Sequence, residues 1–385
     1  MRSAQVSSAG VTAEPASVGT IAGEWRDLAE RRGNVFVTPE WYLAWHRHYG
    51  SGTAPALLTV RHPDGRLRGV APLVRQTAGR LRRVRFAGAN VGDEFEPVAA
   101  PGDRSAVASA LAARLAALPD WNMVVLDNVD ATEDWPRQLL GGLGDVTVRS
   151  YRQNVLPEID LRGVGGWDDY LAGRSRNFRS QLRRYERALS RTYAVRFRRT
   201  EDAAALPGDL RTFFRLHDAR WRARGGSSSA GERVRAFHRD FAARIHERGW
   251  LRLWFLELDG DAVAAWYGWH LGGRYSYYLA GFDPGHSASR VGLVLLAHTV
   301  RSAIAEAADA YGLLLGDEPY KARFTDARRE VVTLLATRAR HPAGALAAAE
   351  VGAWELSRRL APAQRRRLRH VLRGLVVRLP GERGR

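Results

Sequence analysis

The chain spells out the same succession of local signals twice, and that repetition narrows its fold more than any other property. In the first half, the alternating run Ala56 to Val60 leads into His62-Pro63-Asp64-Gly65. A second strand-like run spans Leu67 to Val74, and after a turn at Gly79 a third runs from Leu81 to Phe86 and ends at Gly88. In the second half, Leu251 to Leu258 leads into Asp259-Gly260, Ala262 to His270 follows, Gly272-Gly273 makes the next turn, and Arg274 to Ala280 ends at Gly281. Asp-Gly between alternating runs signals a hairpin, because the tight turn needs residues that accept positive φ. A helical stretch follows each meander, Arg104 to Leu118 and Arg290 to Ala308. Each is followed in turn by an apolar run closed by an aspartate: Trp121 to Leu126 with Asp127, and Tyr311 to Leu315 with Gly316-Asp317. Gly65 and Gly260, Gly88 and Gly281, and Asp127 and Asp317 stand at nearly one separation, which duplication explains better than chance.

Each half therefore reads as helix, antiparallel meander, helix, strand, helix, strand. The leading helices fall at Pro39 to Tyr49 in one half, and at Leu210 to Arg224 plus Val234 to Arg248 in the other. This is an α+β order: a mixed, mainly antiparallel sheet flanked by helices, gaining a parallel neighbour where the crossover helix returns. The expected layout is a disordered N-terminus over 1–19, one copy over 20–160, a second over 161–340, and a basic helical tail over 341–385. No G-x-G-x-x-G follows a strand, which disfavours a dinucleotide fold, and Walker A, G-x-S-x-G and H-E-x-x-H are absent. With no cysteine in 385 residues, disulfides, thiolate zinc sites and a cysteine nucleophile are excluded. The histidines form no ligand set, so no metal is expected. The N-terminus lacks the apolar core of a secretion signal, and the longest apolar stretch, near Val291 to Ala297, is far short of the roughly 20 residues of a membrane span. A cytoplasmic protein is expected.

The order of elements resembles the GNAT acyltransferase fold, and its doubling resembles the tandem arrangement of the Fem family of peptidoglycan aminoacyl transferases. Four stretches are similar to a bacterial GNAT-like family often labelled cellulose-biosynthesis CelD-like: Thr38-Pro39-Glu40-Trp41, Leu216-His217-Asp218-Ala219-Arg220-Trp221, Tyr277-Tyr278-Leu279-Ala280-Gly281-Phe282-Asp283 and Gly316-Asp317-Glu318-Pro319-Tyr320-Lys321. The resemblance spans Asn34 to Arg338. It implies transfer of an acyl group from a thioester, with acyl-CoA as co-substrate and no permanently bound cofactor, to an amine or hydroxyl of a glycan, lipid-linked sugar or small metabolite.

Such chemistry needs a backbone N–H from a splayed strand for the donor carbonyl, a helix N-terminus for the donor pyrophosphate, and a base for the acceptor. The resemblance puts the first on Tyr275 to Gly281, with Ala280 and Gly281, and the second at Ser289, Arg290 and Gly292. That loop departs from the glycine-rich pattern of ordinary GNAT enzymes, and Ser289 also reads as a simple helix N-cap. In the first half Asp93, Glu94 and Glu96 occupy the matching place and would repel a pyrophosphate, so that copy is expected to shape an acceptor pocket instead. Asp317, Glu318, Tyr320 and Lys321 bring two carboxylates, a phenol and an amine within five residues and are the expected catalytic group. Lys321 is the only lysine in a chain that otherwise uses arginine, although an ordinary Glu318–Lys321 surface pair would read the same way. His217, Arg220 and Trp221 share one helix face and, with Tyr278, are expected to bind the acceptor, although Trp221 packed in the core and His217 capping or pairing locally would read the same way.

The net charge of +18 is local, with ten arginines and one glutamate over 174–199 and twelve arginines and three glutamates over 338–385. In Ser175 to Ser190, Phe178, Leu182, Tyr185 and Leu189 form one apolar stripe and leave Arg176, Arg179, Arg183, Arg184 and Arg187 outward. Arg179 and Arg183 are the expected wall of the acceptor cleft. In the tail, Leu368, Val371, Leu372 and Leu375 share a face, suiting either a membrane-surface helix or one packed on its own domain. Nucleic acid is not the expected partner of an acyl-CoA enzyme. Two other readings stay open: a Fem-like transferase using aminoacyl-tRNA, for which the 174–199 arginines would bind RNA phosphate, and a non-catalytic scaffold with basic binding faces.

Overall fold

The computed structural model describes residues 13–349, apart from 79–80, 119, 223–230, 340 and 346–347, together with residue 352. The chain divides into two compact units, one taking the residues up to Asn154 and again from Glu330, the other taking Val155–Arg329. Both are mixed α+β, with a largely antiparallel sheet and flanking helices.

The first unit begins with β1 (Ala13–Pro15), α1 (Val18–Arg32) and α2 (Pro39–Tyr49). Expected disorder over 1–19 gives way to structure from Ala13: β1 pairs antiparallel with β2 (Thr53–Arg61), Ala13 facing Val60. Helix α1 buries Ile21, Trp25, Leu28 and Ala29, which fall on one helical stripe that the short N-terminal run concealed. Helix α2 begins where the sequence places it, because Thr38 Oγ1 accepts from the Trp41 N–H at 3.2 Å and Pro39 stands at the first position. The meander follows as β2, β3 (Leu67–Ala78) and β4 (Leu81–Phe86), with β5 (Val98–Ala99) paired to β3. Helix α3 (Arg104–Ala116) crosses over to β6 (Met123–Asp130), which lies parallel to β4. Then come α4 (Trp135–Gly141) and β7 (Val146–Asp160), whose first half belongs to this unit. A returning strand, β13 (Arg328–Arg338), inserts between β6 and β7.

The second unit takes the end of β7, then α5 (Trp167–Ala172), α6 (Arg176–Thr192), β8 (Val195–Arg199), α7 (Leu206–Arg222) and α8 (Glu232–Glu247). Its meander is β9 (Leu251–Leu258), β10 (Asp261–Leu271) and β11 (Arg274–Phe282), followed by α9 (Val291–Ala305) and β12 (Ala310–Gly312). Asp259 at φ 51 and Gly260 at φ 93 close β9 on β10 in a two-residue turn, as the Asp-Gly signal requires. One face of this sheet packs Trp266, Tyr275 and Tyr311 beneath α9 and α6. The other carries Tyr267 and Trp269 against Phe213 of α7 and Phe241 of α8.

Strand β12 corrects the sequence reading. The apolar run Tyr311 to Leu315 predicts a strand of five residues, yet the strand ends at Gly312; Leu313 still donates to the Pro157 carbonyl at 2.9 Å, and then Leu314 turns left-handed at φ 52 and Gly316 follows at φ 113. The tail beyond residue 352, with Leu368, Val371, Leu372 and Leu375, lies outside the described residues. No described helix is long and apolar enough to cross a membrane.

Candidate functional site

Strands β11 and β12 pair in parallel over three positions only, Arg274 to Ser276 against Ala310 to Gly312, and then diverge. Beyond this point β11 remains paired to β10, where the alternation of an antiparallel ladder leaves every second residue pointing its N–H and C=O away from β10. Ala280 is one of these. Its carbonyl is taken from the far side by α7, with His217 Nδ1 at 3.1 Å and Arg220 Nη1 at 3.1 Å. The Ala280 N–H points the same way, into the opening between the diverging strands.

Helix α7 comes this close because Gly281 has no side chain. A Cβ there would collide with the backbone of Leu216 and His217. Gly281 is thus explained by helix packing. Of the three residues predicted on one face of α7, His217 and Arg220 converge on Ala280, while Trp221 is 39% exposed with its ring 6.2 Å from His217. Arg220 also lies over the Phe282 ring at 5.5 Å. Tyr278 is directed elsewhere, packing among His238, Tyr267 and Trp269. Burial lowers the His217 pKa, opposed by the Ala280 bond and aided by Arg220 and Arg235. His238, on α8 and sealed among these rings, is pushed down to about 3 by burial.

The loop after β12 gives the four residues expected to be catalytic different surroundings. Lys321 is 3% exposed, and its ammonium donates to the carbonyls of Leu314 (3.2 Å), Leu315 (2.6 Å) and Gly316 (3.3 Å) while pairing with Glu318 at 2.9 Å. All its donors are spent on the segment that follows β12. Its pair with Glu318 is therefore not an ordinary surface pair, since the ammonium is buried. Asp317 is exposed and Glu318 is held by Lys321. Tyr320 packs against the core cluster of this unit, where its hydroxyl hydrogen-bonds Tyr277 of β11 and feels the charge of Arg220. Burial, reinforced by Tyr277, holds its phenol far above the ordinary range. In the sequence Tyr277 stands within a family-like stretch, but nothing there marks it as a partner of Tyr320.

At the start of α9, Arg290 adopts a left-handed φ of 55 as the residue before the helix and makes no side-chain cap. Ser289 lies in the preceding 3-10 turn, Pro284–Ser289, and does not serve as the N-cap. The Arg290 side chain reaches the Tyr185 hydroxyl on α6, which also accepts from Arg184 at 3.4 Å; the Arg184 bond and then Arg290 draw the Tyr185 pKa down. Helix α6 buries Phe178, Leu182 and Leu189 as its stripe predicts, leaving Arg176, Arg183, Arg184 and Arg187 exposed and Arg179 half-buried. Two guanidinium groups thus meet beside the helix end whose first N–H groups have no intrahelical acceptors. Gly292 beside them would bring a Cβ to 3.3 Å from Phe282, a tight fit that a small shift of the ring relieves.

In the first unit the matching place is filled by acids already engaged. Glu96 is buried, takes Arg32 through both oxygens (2.7 and 2.8 Å) and accepts from Asn34 at 3.2 Å.

Residues 176–322 match the family described as an acetyltransferase (GNAT) domain. Among solved structures, FemX superposes with a TM-score of 0.64 at 12% identity, covering 87% of this chain and 99% of FemX. The C-terminal domain of a putative lysylphosphatidylglycerol synthetase from Agrobacterium fabrum superposes at 0.53, with 13% identity over 87% of this chain and 96% of that one. A conserved protein of unknown function from Bacteroides thetaiotaomicron gives 0.51, with 11% identity over 86% and 100%. No curated protein matches in sequence. The GNAT match thus belongs to residues 176–322, and over most of its length the chain is similar in fold to FemX.

Proposed function

We propose that this chain is a Fem-like aminoacyl transferase, built from two GNAT-like copies, that moves an aminoacyl group from aminoacyl-tRNA to an acceptor amine or hydroxyl in the β11–β12 opening of its second unit. The observation that carries the donor assignment is the meeting of Arg184 and Arg290 on Tyr185 at the start of α9. A glycine-lined loop would cradle a pyrophosphate with backbone; here side-chain cations line the place, extended along α6 by Arg183 and Arg187, and such a row suits a phosphodiester chain. The likeness to FemX over nearly its whole length supports the same reading, as does the aminoacylated lipid in the name of the Agrobacterium relative. The duplication is supported by the shared order of the units, in which β4–β6 and β11–β12 are the one parallel pair after each meander.

Within that reading the Ala280 N–H receives the oxyanion of the tetrahedral adduct, and Arg220 adds positive charge beside it. Tyr320, kept protonated by burial, donates to the departing oxygen. The acceptor is a glycan, a lipid-linked sugar or a small metabolite bearing the nucleophile, as the CelD-like resemblance also implies. The match to an acetyltransferase domain favours a second reading, in which acyl-CoA is the donor. Binding of alanyl-tRNA and of coenzyme A, measured in parallel between 50 and 200 mM salt, separates them. Alanyl-tRNA should bind with a steep salt dependence, and Arg184→Gln and Arg290→Gln should each reduce the slope of log K against log salt by about 1. Binding of coenzyme A alone would transfer the assignment to acyl-CoA, and binding of neither would leave a scaffold without a donor.

A further inference from the structure

The proton of the acceptor nucleophile needs somewhere to go, and the residues around the opening leave one nitrogen for it. Asp317 is exposed, Glu318 is occupied by Lys321, and His238 is 2% exposed behind aromatic rings. Asp218 next to His217 is ion-paired with Arg235 of α8. His217 differs from all of these. The Ala280 carbonyl can only accept, so Nδ1, 3.1 Å from it, must carry the ring hydrogen. A neutral imidazole has one such hydrogen, so Nε2 holds a lone pair, and among the described residues nothing hydrogen-bonds it.

Resting on the transferase reading, we infer that His217 Nε2 is the base that takes the proton from the acceptor nucleophile. The assignment couples two tasks through one residue: the peptide group whose carbonyl fixes the tautomer belongs to Ala280, the same residue whose N–H points into the opening. In the step, the acceptor nitrogen or oxygen forms a bond to the acyl carbon while its proton passes to Nε2. The imidazolium keeps its Nδ1 hydrogen on Ala280. Collapse of the adduct breaks the bond between the acyl carbon and the ribose oxygen, the electron pair leaves with that oxygen, and Tyr320 supplies its proton. The imidazolium then returns its proton to the Tyr320 phenolate through solvent, restoring both groups.

The charged and titratable groups facing this imidazole support a neutral ring. They are Asp218 and Arg220 on α7 and Arg235 and His238 on α8. Burial dominates and lowers its pKa, Arg220 and Arg235 act in the same sense, and Asp218 and the Ala280 bond oppose them. The base form therefore prevails at neutral pH, and activity should fall only as pH drops below the ordinary imidazole value of about 6.5.

Two measurements on the full chain test this. The first uses no substrate: long-range nitrogen–proton NMR correlations of the labelled protein should show His217 as the Nδ1–H tautomer at pH 7, and an Nε2–H tautomer or an imidazolium would overturn the inference. The second uses transfer from alanyl-tRNA to an amine or hydroxyl acceptor. His217→Asn keeps an amide N–H near the Nδ1 position for Ala280 but has no base. Turnover should fall by about 10²–10⁴-fold, the acid limb should vanish, and alanyl-tRNA binding and Tm should hold. An asparagine variant within threefold of the wild type, with the limb intact, would reduce His217 to a clamp on Ala280. Absence of transfer by the unaltered chain, with its tautomer as stated, would instead end the transferase reading and the base role with it.

Discussion

At the scale of single residues, the surroundings of Lys321 account for its being a lysine at all. A lone lysine in an arginine-rich chain does mark a place that guanidinium cannot fill, and the place is a nest of three carbonyls stranded by the left-handed turn at Leu314. A compact ammonium meets convergent acceptors from one point, whereas a planar fork cannot. Lys321→Ala should therefore cost about 2–3 kcal/mol of stability, read as a shift in urea midpoint. Lys321→Arg should recover little of it, and full recovery would mean that the carbonyls do not need a point charge. His238 offers a second residue-level test. In the folded chain it stays neutral down to about pH 3, while in the unfolded chain it binds a proton below about 6.5. Between those values the unfolded state holds more protons, so stability must fall as pH falls. At pH 5 the loss from this residue should be about 2 kcal/mol relative to pH 8. His238→Phe should flatten the urea-midpoint difference between those two pH values by that amount, and an unchanged difference would place the ionisation elsewhere.

At the scale of elements, the legibility of the sequence followed the range of the interactions that form each one. The meander of the second unit was legible nearly to the residue because its turns are local chemistry: Asp259-Gly260 and Gly272-Gly273 supply positive φ wherever they occur. Helix α2 was exact for the same reason, its Thr-Pro start being a two-residue signal. Strand β12 was overread because Leu313 and Leu314 are apolar and buried whether or not they pair, and periodicity does not report φ. Strand β1 and the start of α1 were missed because three residues acquire strand character only from the edge of β2. The site divides along the same line. His217 and Arg220 were readable as one helix face, and the arginines of α6 as the polar side of a stripe. Their meeting with Ala280, and that of Arg290 with Tyr185, depend on elements tens of residues away, and only the folded chain brings them together.

At the scale of the whole molecule, chain order and spatial order disagree in one respect that has thermodynamic consequences. Among the described residues the second unit is a single continuous stretch, but the first is completed only from Glu330, when β13 returns to it. This strand is interior to the sheet, pairing antiparallel with β6 from Val331 opposite Asp130 to Thr337 opposite Met123. Its Val331, Thr333, Leu335, Ala336 and Thr337 are buried. Without it, β6 would become an edge, presenting unpaired N–H and C=O groups flanked by buried valines, a template for aggregation. A chain ending at Arg329 keeps every strand of the second meander, together with the Ala327–Glu158 backbone bond that ties its last segment to β7. Hydrogen exchange on that truncated chain should show protection lost in β6 and β4 and kept in β9, β10 and β11. Uniform loss across both units would mean that the second cannot hold its meander without the first. Retained protection in β6 would mean that β13 adds little to the sheet, which its register and burial argue against.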